Sequence, residues 1–228
     1  MSKCESCIIR KFNAMKAFSI PELKQLSDKK TTKIYKKGEV IFDEGEHLKG
    51  VYCVRYGISK LSKLSPNGKD QIIKFVSNGE ILGQRSVVAQ ESANLKAVAV
   101  NDMEVCFIPK EFILQSLKNN PNYTVELLRT MAHELKEADD VIVNMSQKPV
   151  KQRVAEALLH LKNNFGEDNE DFLNITLSRE DIANLVGTAT ESCIRILSEF
   201  KKEGLLETSG KKIKITNPNQ LHHIAEGV

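Results

Sequence analysis

Leu177 to Ile196 reads LSREDIANLVGTATESCIRI, and it leaves the backbone little freedom: two short helices must meet at a tight, glycine-marked bend. Ile182, Leu185 and Val186 recur at helical spacing, Gly187 supplies the positive φ or close approach that a bend requires, and Ile194 and Leu197 are expected to anchor the second helix. Ser178 stands three residues before Asp181, the spacing of a capping box, and Thr188 before Glu191 approximates the same signal. Two helices joined in this way make the helix-turn-helix that enters a DNA groove. Glu191 and Arg195 share a helix face, and they are the side-chain types that accept from cytosine N4 and donate two hydrogen bonds to guanine O6 and N7. Taken alone, such a pair is more often a solvated ion pair than a base reader, and Glu191 also fits a cap residue, so both readings stay open at this point.

The residues that follow favour DNA. Gly204–Thr208 and Lys212–Thr216 are short alternating segments around Ser209-Gly210-Lys211, the pattern of a hairpin and hence of the wing of a winged helix. Alternation sends Ile213 and Ile215 inward and Lys212 and Lys214 outward, where, with Lys211, they are placed to meet phosphates. From Thr176 to Thr216 seven Lys or Arg face six acids, so affinity for nucleic acid has to come from charge placement. The whole-chain net charge of +3 permits such a partner without requiring it.

Glycine divides the chain. Gly38, Gly45, Gly50, Gly57, Gly68, Gly79 and Gly83 punctuate the first part, and none follows until Gly166. Between and after them lie the β-prone runs Val40–Phe42, Val51–Tyr56, Ile58–Leu64, Gln71–Val76, Leu95–Val100 and Met103–Ile108, the spacing of a β-sandwich or jelly roll. In the glycine-free region Leu128, Met131, Leu135, Ala138, Ile142 and Met145 step alternately by three and four, as the seam of a coiled coil does. The competing reading is one amphipathic helix lying on the roll. A two-chain seam is favoured because each buried Leu or Ile contributes about 1.5–3 kcal/mol. No ionisable side chain occupies the six positions, so nothing in the seam penalises pairing, and the dimer is expected to persist without an effector.

The expected fold is therefore α+β: an N-terminal CxxC segment and helix (1–20), a double-stranded β-helix or jelly-roll sensor domain (21–118), a long dimerisation helix (119–147) ended near Lys148-Pro149, and a C-terminal winged helix-turn-helix (148–228). With 228 residues there is enough chain for two modest cores. No apolar run approaches the roughly 20 residues of a membrane span, and no apolar signal-peptide core opens the chain, so a cytoplasmic protein without membrane partners is expected. Five cysteines, an odd number, point to reduced thiols or metal ligands rather than a disulfide framework. The histidines show no zinc-like spacing with them.

This order of elements resembles the Crp/Fnr family of bacterial transcription regulators. Lys37-Gly38-Glu39-Val40-Ile41-Phe42 with Gly45-Glu46, Val51 to Gly57, Gly79-Glu80-Ile81-Leu82-Gly83 and Leu177 to Phe200 carry the resemblance. It implies a homodimer that binds a near-palindromic operator in double-stranded DNA and contacts RNA polymerase. It also implies Glu191 and Arg195 as principal base readers, with Thr190 and Ile194 at two variable reading positions and Ser178, Arg179, Lys211, Lys212 and Lys214 as supporting contacts.

Family members that bind cyclic nucleotides carry a Gly-Glu pair and, about ten residues on, an Arg-Ser pair that hold ribose and phosphate. Here Gly83-Gln84 stands at the first place and Ala93-Asn94 near the second. Both charges are missing, and Arg85 and Lys96 lie outside the pattern. The candidate pocket is Gly83, Gln84, Arg85 and Asn94, and a cyclic nucleotide is not expected in it. Cys4-Glu5-Ser6-Cys7 and Cys106 instead match positions of the redox branch, whose oxygen-sensing members hold an iron-sulfur cluster; Asn13 stands where that branch has a further cysteine, and an amide is a poor ligand for soft iron-sulfur chemistry. Cys53 supplies a fourth sulfur only if its strand brings it near Cys106. Three readings of Cys4, Cys7 and Cys106 remain: a cluster, a bare dithiol switch or another metal, and an unreactive inherited motif.

The expected function is thus a homodimeric, sequence-specific regulator, redox- or metal-responsive rather than cyclic-nucleotide-responsive. The alternatives are a thiol oxidoreductase using Cys4 and Cys7, and a cyclic-nucleotide regulator with an atypical pocket. Against the first, no βαβ pattern surrounds the C-x-x-C and no nucleophile elbow or phosphate loop appears.

Overall fold

The computed structural model describes residues 3–65 and 68–227. Three short 3-10 turns, Cys4–Ser6, Ile9–Phe12 and Ala14–Ala17, lead into helix α1, Ile20–Lys29, so the first 20 residues hold tight turns where a helix was expected. α1 opens on a capping box in which the Glu22 carboxylate accepts from the Ser19 backbone N–H at 2.7 Å.

Eight strands follow: β1 (Thr31–Tyr35), β2 (Val40–Phe42), β3 (Gly50–Tyr56), β4 (Ser59–Leu64), β5 (Asp70–Val76), β6 (Ile81–Leu82), β7 (Lys96–Ala99) and β8 (Met103–Pro109), with helix α2 (Gln84–Ala89) between β6 and β7. They form two four-stranded sheets, ordered β1-β8-β3-β6 and β2-β7-β4-β5. This is the expected roll. Its interior is set by alternation: Tyr52 of β3 packs its ring 5.9 Å from Phe42 of the other sheet and 5.2 Å from Phe107. Odd-numbered neighbours of Tyr52 therefore point the other way. Yet Val51 and Cys53 are buried as deeply as Tyr52 and Val54, because the N-terminal turns and α1 cover that outer face. A strand covered on both faces reads as a continuous apolar run, which is why Val51–Val54 shows no alternation.

Helix α3 (Lys110–Asn119) leads into the 27-residue helix α4 (Pro121–Gln147). Asn120 caps α4 by accepting from the Tyr123 N–H at 3.0 Å, with Pro121 in the first turn, where its missing N–H costs nothing. Tyr123 and Leu127 bury against the roll, the Tyr123 ring 4.5 Å from Phe18. Compactness divides the chain into two units within α4: Glu137 belongs with the roll, and Ala138 onward, together with Leu64–Ile72, forms the second.

The second unit carries α5 (Val150–Phe165), α6 (Arg179–Val186), α7 (Thr190–Lys202), the hairpin β9 (Leu206–Ser209) and β10 (Lys212–Ile215), and α8 (Pro218–Glu226). Its core is apolar and contiguous in type: Leu158, Leu161, Ile182, Val186, Leu197, Phe200, Ile213 and Ile215 are all buried. This is the winged helix-turn-helix that the sequence predicted. No helix among the described residues is long and apolar enough to cross a membrane.

Candidate functional site

The bend between α6 and α7 is built from Gly187 outward. Gly187 ends α6 with φ +64°, a left-handed conformation that a side chain would disfavour, and Thr188 and Ala189 complete the turn. Ser178 caps α6 as expected: its hydroxyl accepts from the Asp181 N–H at 2.9 Å and donates to the Asp181 carboxylate at 2.6 Å. α7 differs from expectation at its start, because Ala189 is its N-cap and no side chain caps it. Thr188 is therefore not a capping residue, and Glu191 is not held by one.

α7 buries Cys193, Ile196, Leu197 and Phe200. Ile194 is 46% exposed, which corrects its expected role as an anchor and places it on the outer face with Glu191 and Arg195. Neither Glu191 nor Arg195 makes a hydrogen bond or ion pair among the described residues, so the bland i, i+4 pair is not formed. Both charged ends are free to meet a partner. Thr190, half-buried, opens the same helix.

In the hairpin, Ser209 pairs with Lys212, leaving a two-residue loop in which Gly210 takes φ +56°. Ile213 and Ile215 point inward as predicted. The lysines are less free than alternation implied. Lys212 Nζ lies 2.9 Å from Asp168 Oδ2, and Lys214 Nζ lies 2.8 Å from Asp171 Oδ2 and 3.2 Å from the Glu170 carbonyl. The bond to Asp168 raises the Lys212 pKa, the bond to Asp171 raises that of Lys214, and Lys212 in turn lowers that of Asp168. Lys211, at the exposed tip, makes no ion pair among the described residues. Arg179 reaches the tip from α6 by donating to the Gly210 carbonyl at 3.2 Å, so it positions the wing.

The pocket residues do not gather. Gln84 is buried in α2 while Arg85 and Asn94 are exposed, and Lys96 is paired with Asp43 at 2.9 Å. A depression of about 190 Å³ lies between His47, Ser86, Gln90 and Lys110, with none of Gly83, Gln84, Arg85 or Asn94 in its lining. Ligand pockets usually exceed about 300 Å³.

The cysteines do gather. β3 and β8 are in antiparallel register with Cys53 directly opposite Cys106, on the outer face of their sheet. Over that face lie the N-terminal turns: the Asn13 side chain is 3.6 Å from Cys53 Sγ and donates to the Gly79 carbonyl at 2.8 Å. Lys30, itself buried, sets its Nζ 3.6 Å from Cys106 Sγ and bonds to Cys4 as well. Cys4, Cys53 and Cys106 are buried and Cys7 is half-buried. Burial, with Cys106 and Cys7 adding to it, pushes the Cys53 thiol up to about 12. Burial raises Cys106 too, against the pull of Lys30 and Arg55. For Lys30, burial acts to lower the ammonium pKa, but Cys106 and Cys4 outweigh it and the net direction is up.

Among the described residues no three His, Cys, Asp or Glu side chains converge on a point that one metal ion would occupy. The set is all sulfur, with Cys4, Cys53 and Cys106 buried and Lys30 and Arg55 as nearby cations, which fits the donor chemistry of an iron-sulfur cluster with its net negative charge. Sequence reading named Cys4, Cys7 and Cys106; it left out Lys30, whose only signal was its place in a charged run closing α1.

Residues 32–120 match the family model described as a cyclic nucleotide-binding domain, and residues 152–224 match the Crp-like helix-turn-helix domain. The chain is 30% identical to electron transport regulator A of Shewanella oneidensis, covering 97% of this chain and 90% of that one. It is equally 30% identical to the fumarate and nitrate reduction regulatory protein of Escherichia coli, with the same coverage of both chains. Among solved structures it is similar to FixK2 from Bradyrhizobium japonicum, with a TM-score of 0.77 and 28% identity over 86% of this chain and 96% of that one.

Proposed function

The chain belongs to the Crp/Fnr family of DNA-binding transcription regulators, and from that premise we propose that it acts as a homodimer reading a near-palindromic operator through Glu191 and Arg195. The family is one of regulators, so the thiol-oxidoreductase reading of Cys4 and Cys7 falls away. One observation carries the proposal: α7 buries one face and presents Glu191, Ile194 and Arg195, unpaired, on the other. A helix so disposed fits the major groove, where a carboxylate accepts from cytosine and a guanidinium grips guanine. Thr190 and Ile194 flank the readers and tune neighbouring base pairs. Ser178 and Arg179 act chiefly in positioning, one at the α6 cap and the other at the wing tip. Two copies of α7 related by a twofold axis meet half-sites centred about 34–36 Å apart, beside a promoter where RNA polymerase is the partner.

Its signal is redox or metal in kind, held by Cys4, Cys7 and Cys106. The names of the relatives, an electron transport regulator and a fumarate and nitrate reduction regulatory protein, support this reading. Burial keeps the Cys106 thiol protonated, and a protonated buried thiol is a poor nucleophile for a bare dithiol switch. An iron-sulfur cluster held there by Cys4, Cys7 and Cys106 would supply a group whose charge changes on oxidation.

The test of the reading role is Arg195→Ala. It should cost about 1–3 kcal/mol on the selected operator and relax preference at one base pair per half-site, with little change on random DNA. Equal losses on both kinds of DNA, measured by binding selection and anisotropy, would remove Arg195 from the role.

A further inference from the structure

Position 13 and position 53 meet in space. The Asn13 amide reaches the Cys53 sulfur at 3.6 Å while its second anchor, the Gly79 carbonyl, fixes the direction of approach. Cys53 in turn lies opposite Cys106 across two paired strands, and directly opposite residues carry their side chains on one face, about 4.5–5.5 Å apart at Cβ. Cys4 joins them through Lys30, which touches both Cys4 and Cys106. Cys7 follows three residues after Cys4, and the Cys7 N–H donates to the Cys4 carbonyl at 3.2 Å, closing the turn. Four sulfurs thus come from three separated parts of the chain to one covered sheet face.

We infer that Cys53 is the fourth sulfur ligand, with Cys4, Cys7 and Cys106, of the redox centre, and that Asn13 is a second-layer donor to the Cys53 sulfur. This rests on the redox reading above and goes beyond it in assigning Cys53. The balance of charge agrees: holding a cluster would take one proton from each of the four thiols, and the buried Lys30 ammonium would offset part of the negative charge left behind. An amide N–H aimed at a ligating sulfur is the kind of contact that tunes such a centre.

The test uses the full chain, reconstituted without oxygen with ferrous iron and sulfide, and reads bound iron, bound sulfide and visible absorption. Wild type should take up iron and sulfide together and colour accordingly. Cys53→Ser and Cys53→Ala should lose that uptake, as Cys106→Ser does, while keeping the far-ultraviolet circular dichroism of the wild type. Asn13→Cys in the Cys53→Ala background should recover it, because the new thiol starts beside the place the old one held. If the Cys53 variants bind as much iron and sulfide as wild type while Cys106→Ser binds none, the inference fails and the redox reading stands. If the double variant stays colourless, Cys53 acts through packing and the inference fails. If wild type itself takes up neither iron nor sulfide, both fall together.

Discussion

Cys193 shows how one residue can look like a switch and be held inert. It sits within α7, the helix proposed to read DNA, so modification of its thiol would disturb that helix, yet it is fully buried and burial pushes its pKa up to about 11, with only a partial opposing pull from Arg179. Near neutral pH it is a protonated, shielded thiol, and alkylating reagents should modify it only as fast as the domain opens. The linkage has a definite sign. In the unfolded chain the thiol ionises near 9, in the folded chain near 11, so the unfolded state holds fewer protons between those values and stability falls as pH rises through that window. Chemical denaturation of the reduced protein at pH 8 and pH 10.5 should show wild type losing on the order of 2 kcal/mol more than Cys193→Ala. Parallel losses would mean that the thiol ionises in place.

At the scale of elements, the wing divides its labour among three consecutive basic positions. Lys212 and Lys214 brace the hairpin against Asp168 and Asp171, whereas Lys211 stands at the tip. Lys211→Gln should therefore weaken binding alike on operator and random DNA and lower the slope of log K against log salt by about one. Lys212→Gln and Lys214→Gln should change that slope less, because a cation already paired releases fewer counterions from the phosphates. Identical slopes for all three variants in a salt titration would contradict the division. This pairing was not legible in the sequence, since Asp168 lies 44 residues from Lys212 and nothing local links them. What was legible is what local chemistry dictates: the hairpin through Ser209-Gly210-Lys211, the bend at Gly187, the cap at Ser178, and the roll strands between glycine turns. β1 escaped notice because Thr31–Tyr35 is largely exposed and lies between lysine pairs, without the apolar run or flanking glycine that marked the others. Ile194 was misread as an anchor because a 13-residue helix spans too few turns for apolar spacing to fix its buried face to within one residue. The meeting of Cys53 with Cys106 depends on strand register, which sequence spacing does not encode.

For the whole molecule, the proposed homodimer would assemble on a stripe that one chain leaves uncovered. Leu128, Leu135 and Ile142 are 60%, 65% and 67% exposed, seven residues apart at the same heptad position, and Ala138 is exposed between the last two. Met131 packs partly against the roll, and Met145 is half-buried, so the part of the expected seam free for a partner centres on Leu135 to Ile142. A long helix with such a stripe is stable in water when a second copy covers it, and each Leu or Ile contributes about 1.5–3 kcal/mol per chain on burial. The free stretch carries no charge at its seam positions, so pairing has no buried charge to be neutralised first. Association should then be independent of the redox centre, and regulation is left to act on the disposition of the DNA-reading units. Light scattering at micromolar concentration should find wild type dimeric both before and after reconstitution with iron and sulfide. Ile142→Asp, which touches no core of its own chain, should yield a folded monomer with thermal unfolding of the roll nearly unchanged. On DNA it should lose the avidity of two linked half-site contacts, typically a factor of 10²–10⁴, while a single half-site is bound as wild-type monomer would bind it. A wild-type protein that is monomeric until iron and sulfide are supplied would overturn this: it would mean that assembly itself is the regulated step and that the stripe is too weak to hold the dimer alone.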